Sequence, residues 1–163
     1  MKKYRFLALL LLLPMVAGLF APPAAALDDP TVYCNNAVLY DANYGEVLYD
    51  LDAYERAYPA STTKVMTALL VVEAIEAGLL APDTPVTAGA ERMEGIPSGK
   101  GYVVADLKEG ETLPVEELLY CVLLPSHADA ANVLAVAVDG SVEAFGDHMN
   151  RKASELGCQD THF

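Results

Sequence analysis

The sequence predicts a mixed α/β (α+β) fold in which one β-hairpin precedes a body made mainly of helices. Two strand-like runs separated by turn residues predict the hairpin, and apolar stretches with capping and stop signals predict the helices. The 163 residues amount to about one domain. Because 53% of them are hydrophobic and 20% are charged, the chain can fill a core, which argues against disorder.

Residues 1–26 have the composition of an export signal. Three basic residues among the first five precede an apolar run over residues 6–16, and Ala24-Ala25-Ala26 supplies the small residues that a signal peptidase recognises. We expect cleavage after Ala26 and export to the periplasm or to the cell-wall face. The alternative is a membrane anchor, but the apolar run is short for a span and Pro22-Pro23 follow it.

The predicted hairpin covers Asn36 to Asp50. Its strands are Ala37–Tyr40 and Glu46–Tyr49, and residues 41–45 supply the turn. A two-stranded ribbon is marginal by itself unless more strands pair with it or a helix covers it.

The first predicted helix runs from Ser61 to Ala77. Ser61 or Ala60 is placed to cap it, and Gly78 is placed to end it. Apolar residues occupy every side of the helix between Val65 and Val72, so we expect it to be buried all round.

The segment Leu80–Thr112 is rich in proline and glycine and is expected to be mostly loop, with short extended pieces at Val86-Thr87 and Tyr102–Val104. Three more helices are expected after it, with Pro114 and Ser141 at the starts of the first and last and Gly140 and Gly157 as stops. They cover Val115–Leu124, Asp129–Val138 and Val142–Leu156.

Ser61 and Lys64 form an S-x-x-K pair at the start of the first helix. Residues three apart face the same side of a helix. A serine hydroxyl becomes a nucleophile when a base removes its proton, and burial or a helix N-terminus lowers the pKa of a lysine that could act as that base. The free N–H groups of the helix start would stabilise an oxyanion. By themselves, these four residues are more typical of a serine cap followed by a solvated lysine, since serine and lysine are common.

The remaining cysteine and histidine residues show no metal signature. The chain has three cysteines, an odd number that leaves at least one unpaired; a Cys34–Cys158 bridge is compatible with the sequence, and Cys121 lies in an apolar run where we expect it to be buried. No spacing among the cysteines and histidines fits a zinc site, so no metal or cofactor is expected.

The charge balance excludes nucleic acid as a partner. The chain has 10 Lys+Arg against 23 Asp+Glu, a net charge of −13, whereas phosphate binding needs a basic face. Residues 1–26 hold three of the ten basic residues and no acidic one, so their removal leaves no polybasic patch for an anionic membrane. Any membrane association would come from a region beyond Phe163.

A longer string, Tyr58-Pro-Ala-Ser-Thr-Thr-Lys-Val-Met-Thr-Ala-Leu-Leu70, resembles the nucleophile segment of low-molecular-mass penicillin-binding proteins, the serine D-alanyl-D-alanine carboxypeptidases (peptidase S11-like). The preceding hairpin resembles their first two strands. Leu123-Leu124-Pro125-Ser126, continued by Asp129–Asn132, resembles their second motif region. The resemblance covers nearly all of residues 36–163.

The resemblance implies a transpeptidase/β-lactamase-like fold and roles for three residues. Ser61 would be the acylated nucleophile, Lys64 its general base, and Ser126 the group that passes a proton between Lys64 and the leaving amine. Ala128 departs from the family pattern, because an asparagine there can bond both the lysine and the substrate. His127 cannot be assumed to replace it, because adjacent helical side chains point about 100° apart.

The third family motif, a Lys-Thr-Gly strand, does not occur after Ser126. In the family that strand binds the substrate carboxylate and supplies one oxyanion N–H, and the strands that would pair with the hairpin come from the same stretch. We therefore expect residues 27–163 to be the N-terminal portion of a catalytic domain, with the later sheet strands absent.

The resemblance implies a serine-type carboxypeptidase that removes the terminal D-alanine from peptidoglycan stem peptides through a Ser61 acyl-enzyme. β-Lactams would act as covalent inhibitors, and the process served would be cell-wall biogenesis and cell shape. One alternative is a β-lactamase-like serine hydrolase of the same superfamily. Another is a non-catalytic, wall-associated relic, which Ala128 and the missing strands favour for this chain.

Overall fold

The computed structural model describes residues 28–97 and 101–163. The export signal predicted for residues 1–26 lies outside the described residues. The chain divides into two compact units, Met1–Ala57 and Tyr58–Phe163, which are described separately below. In the described ranges no helix has the length and apolar character needed to cross a membrane.

The first unit contains the predicted hairpin. Strand β1 (Ala37–Asp41) pairs antiparallel with strand β2 (Glu46–Leu51), which confirms the prediction. The Asp41 carboxylate accepts a hydrogen bond of 2.9 Å from the N–H of Asn43, and Gly45 closes the turn with a φ of 72°. A glycine suits that left-handed conformation because it has no Cβ to clash with the backbone.

The hairpin has no further strand among the described residues, where β1 and β2 form a two-stranded sheet of their own. Five of its apolar side chains are more than half exposed: Val38, Leu39, Tyr40, Val47 and Leu48. The hairpin therefore buries little apolar surface, as expected for an isolated ribbon.

The second unit begins with a 3-10 turn, Ala60–Thr63, and contains four α-helices in its described part. Helix α1 is Lys64–Glu76, α2 is Val115–Leu123, α3 is Ala128–Asp139 and α4 is Val142–Glu155. Between α1 and α2 lie strand β3 (Pro85–Thr87), a second 3-10 turn (Ala90–Met93) and strand β4 (Thr112–Pro114).

Helix α3 lies at the centre of this unit, where it contacts α1, α2, α4 and the second 3-10 turn. Its Val133 and Leu134 pack with Val71 of α1 and with Leu118 and Val122 of α2, and all five side chains are fully buried. Burying one such side chain contributes about 1.5–3 kcal/mol, so this cluster holds the helices that carry the candidate site.

Helix α1 differs from its prediction in two respects. Its start is a 3-10 turn, and neither Ser61 nor Ala60 caps it with a side-chain hydrogen bond. Burial all round is also wrong, because Val65 is 66% exposed and Val72 is 43% exposed. These two residues are seven apart and share one face, whereas the faces bearing Leu70 and Val71 pack against other helices.

The predicted helices α2, α3 and α4 are confirmed within about two residues. Ser141 caps α4 as expected, since its hydroxyl accepts from the N–H of Ala144 at 3.0 Å, and Gly140 ends α3 with a φ of 82°.

The loop predictions are partly wrong. The extended piece at Val86-Thr87 is confirmed as part of β3, but Tyr102–Val104 forms no strand. The partner of β3 is instead β4, which pairs Val86 with Leu113. The sequence did not indicate this strand, because three residues before a helix are too short to show an alternating pattern.

The three cysteines are free thiols, so the possible Cys34–Cys158 bridge is not formed. Cys121 is half-buried rather than fully buried and packs against the helical core. Its partial burial raises the pKa of its thiol.

Candidate active site

Ser61 and Lys64 lie side by side at the junction of the 3-10 turn and α1. The Lys64 Nζ donates a long hydrogen bond of 3.4 Å to the Ser61 Oγ. The prediction that the two side chains face the same side is therefore confirmed. The distance is one at which an amine, once neutral, can accept the hydroxyl proton after a small approach.

The surroundings of Lys64 lower the pKa of its amine. Desolvation by burial lowers the pKa of this amine below the usual lysine value of 10.5. The physical cause is that the charged ammonium loses hydration when protein atoms replace water. A lysine with a lowered pKa is a better candidate base near neutral pH than a solvated one.

The turn that contains Ser61 is closed by Thr62. Its backbone N–H and its hydroxyl both donate to the carbonyl oxygen of Pro59, at 3.2 and 2.8 Å. Within this turn, Ala60 has a φ of 50°, a left-handed conformation that is rare for a residue with a Cβ. Strain of this kind is retained where surrounding contacts over-determine the backbone, and it occurs here directly before Ser61.

The engagement of Thr62 changes one expectation about the oxyanion. An N–H that is already donated to Pro59 is not free to bind a developing negative charge. The 3-10 turn therefore offers fewer free donors than the α-helical start that the sequence suggested.

Ser61 and Lys64 share one open cleft with Ser126, so the structure brings the three predicted site residues together. The cleft has a volume of about 290 Å³. Its lining is completed by side chains of the first turn of α1 and the end of α2: Thr62, Val65, Val122 and Leu123.

Ser126 stands in the short connection between α2 and α3, in a left-handed conformation with a φ of 69°. The residues after it are tied down on two sides. The N–H of His127 donates to the carbonyl of Cys121 at 2.9 Å, and the N–H of Ala128 donates to the carbonyl of Val103 at 2.8 Å. Ser126 is thus held in a strained conformation at the rim of the cleft.

Among the described residues that line the cleft, no side chain carries an amide that could replace the asparagine missing at position 128. His127 is half-buried and is not among the residues that line the cleft, and its Nδ1 is buried with no partner in the described residues. Asn132, one turn further along α3, uses its amide to donate to the carbonyl of Glu94 at 2.8 Å.

A metal centre has no support within the described residues, since they contain no group of three or more side chains of histidine, cysteine, aspartate or glutamate in position to hold an ion. The chemistry that this cleft can offer is that of a serine nucleophile with an amine neighbour and a second hydroxyl.

Comparison with known proteins identifies similar chains along nearly the whole sequence. Residues 23–163 match the family model described as Peptidase_S11: D-alanyl-D-alanine carboxypeptidase. The chain is 35% identical over 159 residues to D-alanyl-D-alanine carboxypeptidase DacF of Bacillus subtilis, covering 94% of this chain and 40% of that protein. It is 37% identical over 150 residues to D-alanyl-D-alanine carboxypeptidase DacC of Escherichia coli, covering 89% and 38%.

Solved structures show the same similarity. Penicillin-binding protein 6B from Escherichia coli aligns with a TM-score of 0.77 and 31% identity, covering 86% of this chain and 44% of that one. Penicillin-binding protein D2 from Listeria monocytogenes, in its cefotaxime-bound form, aligns with a TM-score of 0.69 and 30% identity, covering 83% and 53%. The chain spans about two fifths of the length of the curated relatives it matches.

Proposed function

The chain belongs to the D-alanyl-D-alanine carboxypeptidase family, peptidase S11, with the transpeptidase/β-lactamase-like fold of penicillin-binding proteins, and from this we propose that it carries the nucleophile half of a serine carboxypeptidase site. The proposed substrate is the D-alanyl-D-alanine end of a peptidoglycan stem peptide. The observation that supports it most is the 3.4 Å approach of Lys64 to Ser61 in a cleft that Ser126 also lines.

The proposed reaction assigns one step to each residue. Lys64, as the neutral amine, takes the proton of the Ser61 hydroxyl while the oxygen attacks the carbonyl carbon of the penultimate D-alanine. The peptide bond to the terminal D-alanine then breaks, and Ser126 passes the proton from Lys64 to the departing amine. Water hydrolyses the resulting ester on Ser61, which restores the hydroxyl and releases the shortened stem peptide.

β-Lactams are proposed as covalent inhibitors of the same serine. Attack of Ser61 on the lactam carbonyl opens the ring, and because the amine that leaves stays attached to the acyl group, it cannot diffuse away. The cefotaxime-bound Listeria relative supports this proposal for the family.

Labelling of the full-length protein with a fluorescent penicillin tests the proposal. We expect covalent labelling that Ser61→Ala abolishes and that Lys64→Ala reduces by about 10²–10⁴-fold, the usual contribution of a positioned base. Ser154→Ala, on the exposed surface of α4, serves as the matched control and should label like the wild type. Labelling that persists in Ser61→Ala would contradict the proposal.

The same experiment separates the two alternatives. Rapid release of the label with turnover of penicillin would indicate a β-lactamase-like hydrolase. Absence of labelling together with binding to isolated peptidoglycan would indicate a non-catalytic wall protein, which the missing amide at Ala128 favours.

Export is part of the proposal and rests on the signal-like composition of residues 1–26. In a secreting host, the mature protein should be found outside the cytoplasm with Leu27 as its first residue. A protein whose N-terminus is still Met1 would contradict the cleavage site.

A further inference from the structure

The second unit contains a completely buried carboxylate side chain that takes no part in the proposed reaction. Asp129, in the first turn of α3, is 0% exposed. Burying a carboxylate is costly unless hydrogen bonds replace its hydration. Three backbone N–H groups do so here, because Asp129 accepts from Ala105 and Ala130 through Oδ1, at 2.9 and 3.0 Å, and from Leu107 through Oδ2 at 3.1 Å.

Two of these donors belong to a segment that is distant in sequence. Ala105 and Leu107 flank Asp106, which is left-handed with a φ of 60°, so that both flanking N–H groups converge on one carboxylate. Backbone N–H groups arranged in this way form an anion-binding concavity. The anion that fills it is a side chain of α3.

Leu107 is also held from its other side. The Arg92 Nε donates to the Leu107 carbonyl at 2.9 Å, and the Leu107 side chain is 7% exposed in the core cluster. Leu107 is thus held at its N–H by Asp129 and at its carbonyl by Arg92.

The same segment also contacts the residue that precedes Asp129. Two residues before Ala105, the carbonyl of Val103 accepts from the N–H of Ala128, which immediately precedes Asp129. Ala128 is two residues after Ser126, whose left-handed backbone needs fixed neighbours to persist. Residues 103, 105 and 107 therefore hold the first two residues of α3, Ala128 and Asp129, by hydrogen bonds.

We propose that Asp129 is a positioning residue for Ser126: its buried carboxylate fixes residues 103–107 against the first turn of α3 and thereby holds the Ser126 hydroxyl at the cleft beside Lys64. This inference rests on the proposed function, since it assigns Asp129 an effect on the proton-transfer step. Asp129 itself does not touch the reacting atoms.

The test is the variant Asp129→Asn, which keeps the shape of the side chain but turns one accepting oxygen into a donor that faces a backbone N–H. Its matched control is Asp139→Asn on the same helix, where the carboxylate bonds His148 at 2.9 Å and lies at the opposite end of α3. Acylation by a fluorescent penicillin is measured over a range of concentrations, which separates the dissociation constant of the first complex from the acylation rate constant.

We expect Asp129→Asn to lower the acylation rate constant by about 10²-fold, as a displacement of about 1 Å can, and to leave the dissociation constant nearly unchanged. Hydrogen–deuterium exchange should rise in peptides covering residues 101–110 in this variant and not in Asp139→Asn. A loss of stability alone would reduce the labelled fraction without changing the rate constant of the folded molecules.

The outcomes separate the two proposals. A wild-type chain that is never labelled refutes the proposed function, and the inference falls with it. A wild-type chain that is labelled, with an Asp129→Asn variant of equal rate constant, refutes the inference alone. If Asp129→Asn does not fold, Arg92→Gln loosens the same segment, because it frees the Leu107 carbonyl and also removes the Arg92 contacts with the Gly89 carbonyl and with Glu109. Hydrogen–deuterium exchange that rises at residues 101–110 in this variant while the acylation rate constant stays unchanged would overturn the inference, because the fixed segment would then not be what positions Ser126.

Discussion

Because the backbone of Ala60 is left-handed, we expect replacement of this alanine by glycine to raise the free energy of unfolding, whereas such a change usually lowers it. A residue with a Cβ in this region costs about 1–2 kcal/mol, and glycine removes that cost. Glycine also makes the unfolded chain more flexible, which costs about 0.4–1 kcal/mol. The difference predicts that Ala60→Gly stabilises the fold by about 0.5–1 kcal/mol.

The assay is the midpoint of thermal unfolding, compared with Ala137→Gly within α3. At this chain length, 1 kcal/mol corresponds to about 2–4 °C, so Ala60→Gly should melt about 1–4 °C higher than the wild type. Ala137→Gly, in an ordinary helical conformation, should lose about 1 kcal/mol and melt lower. Because the two variants lose the same methyl group, their opposite signs isolate the backbone effect.

The same variant should be slower in the proposed reaction. Without a Cβ at position 60, the turn that orients Ser61 gains freedom, and a displaced nucleophile can lose up to about 10²-fold in rate. An Ala60→Gly protein that melts lower than the wild type by as much as Ala137→Gly would refute the claim that this turn is strained.

Further predictions concern the base, a helix cap and the second motif. Since burial lowers the pKa of Lys64, the acylation rate should rise with pH through a midpoint below 10.5. Lys64→Arg stays protonated, so this variant should be slow and lack that transition. A wild-type midpoint at or above 10.5 would contradict this. The same lowered pKa means that the unfolded chain binds more protons at Lys64 between the two pKa values, so its contribution makes stability increase with pH across that window. Ser141→Ala removes the bond to Ala144 and should cost about 1 kcal/mol in denaturant unfolding, whereas no change would mean that the cap is dispensable. Ala128→Asn should raise the acylation rate if the missing amide limits it, and an equal rate would show that the site works without it.

The local features of this protein were predictable because they depend on residues close in sequence. The Ser61–Lys64 pairing follows from a spacing of three, and the hydrogen bond between them confirms it. Ser141 and Gly140 mark the boundary between α3 and α4 through cap geometry that involves only a few neighbouring residues. The motif strings likewise predicted the family, which the comparisons confirm.

The features that only the tertiary structure decided depend on partners far along the chain. Asp129 looked like an ordinary charge in the first turn of a helix, and its burial follows from N–H groups 22 and 24 residues away. The exposure of Val65 could not be predicted, because an apolar pattern shows which residues can be buried but not whether a partner covers them. The cleft that Ser126 shares with Ser61 and Lys64 has the same origin, since the packing of α3 against α1 and α2 sets it and no spacing in the sequence encodes it.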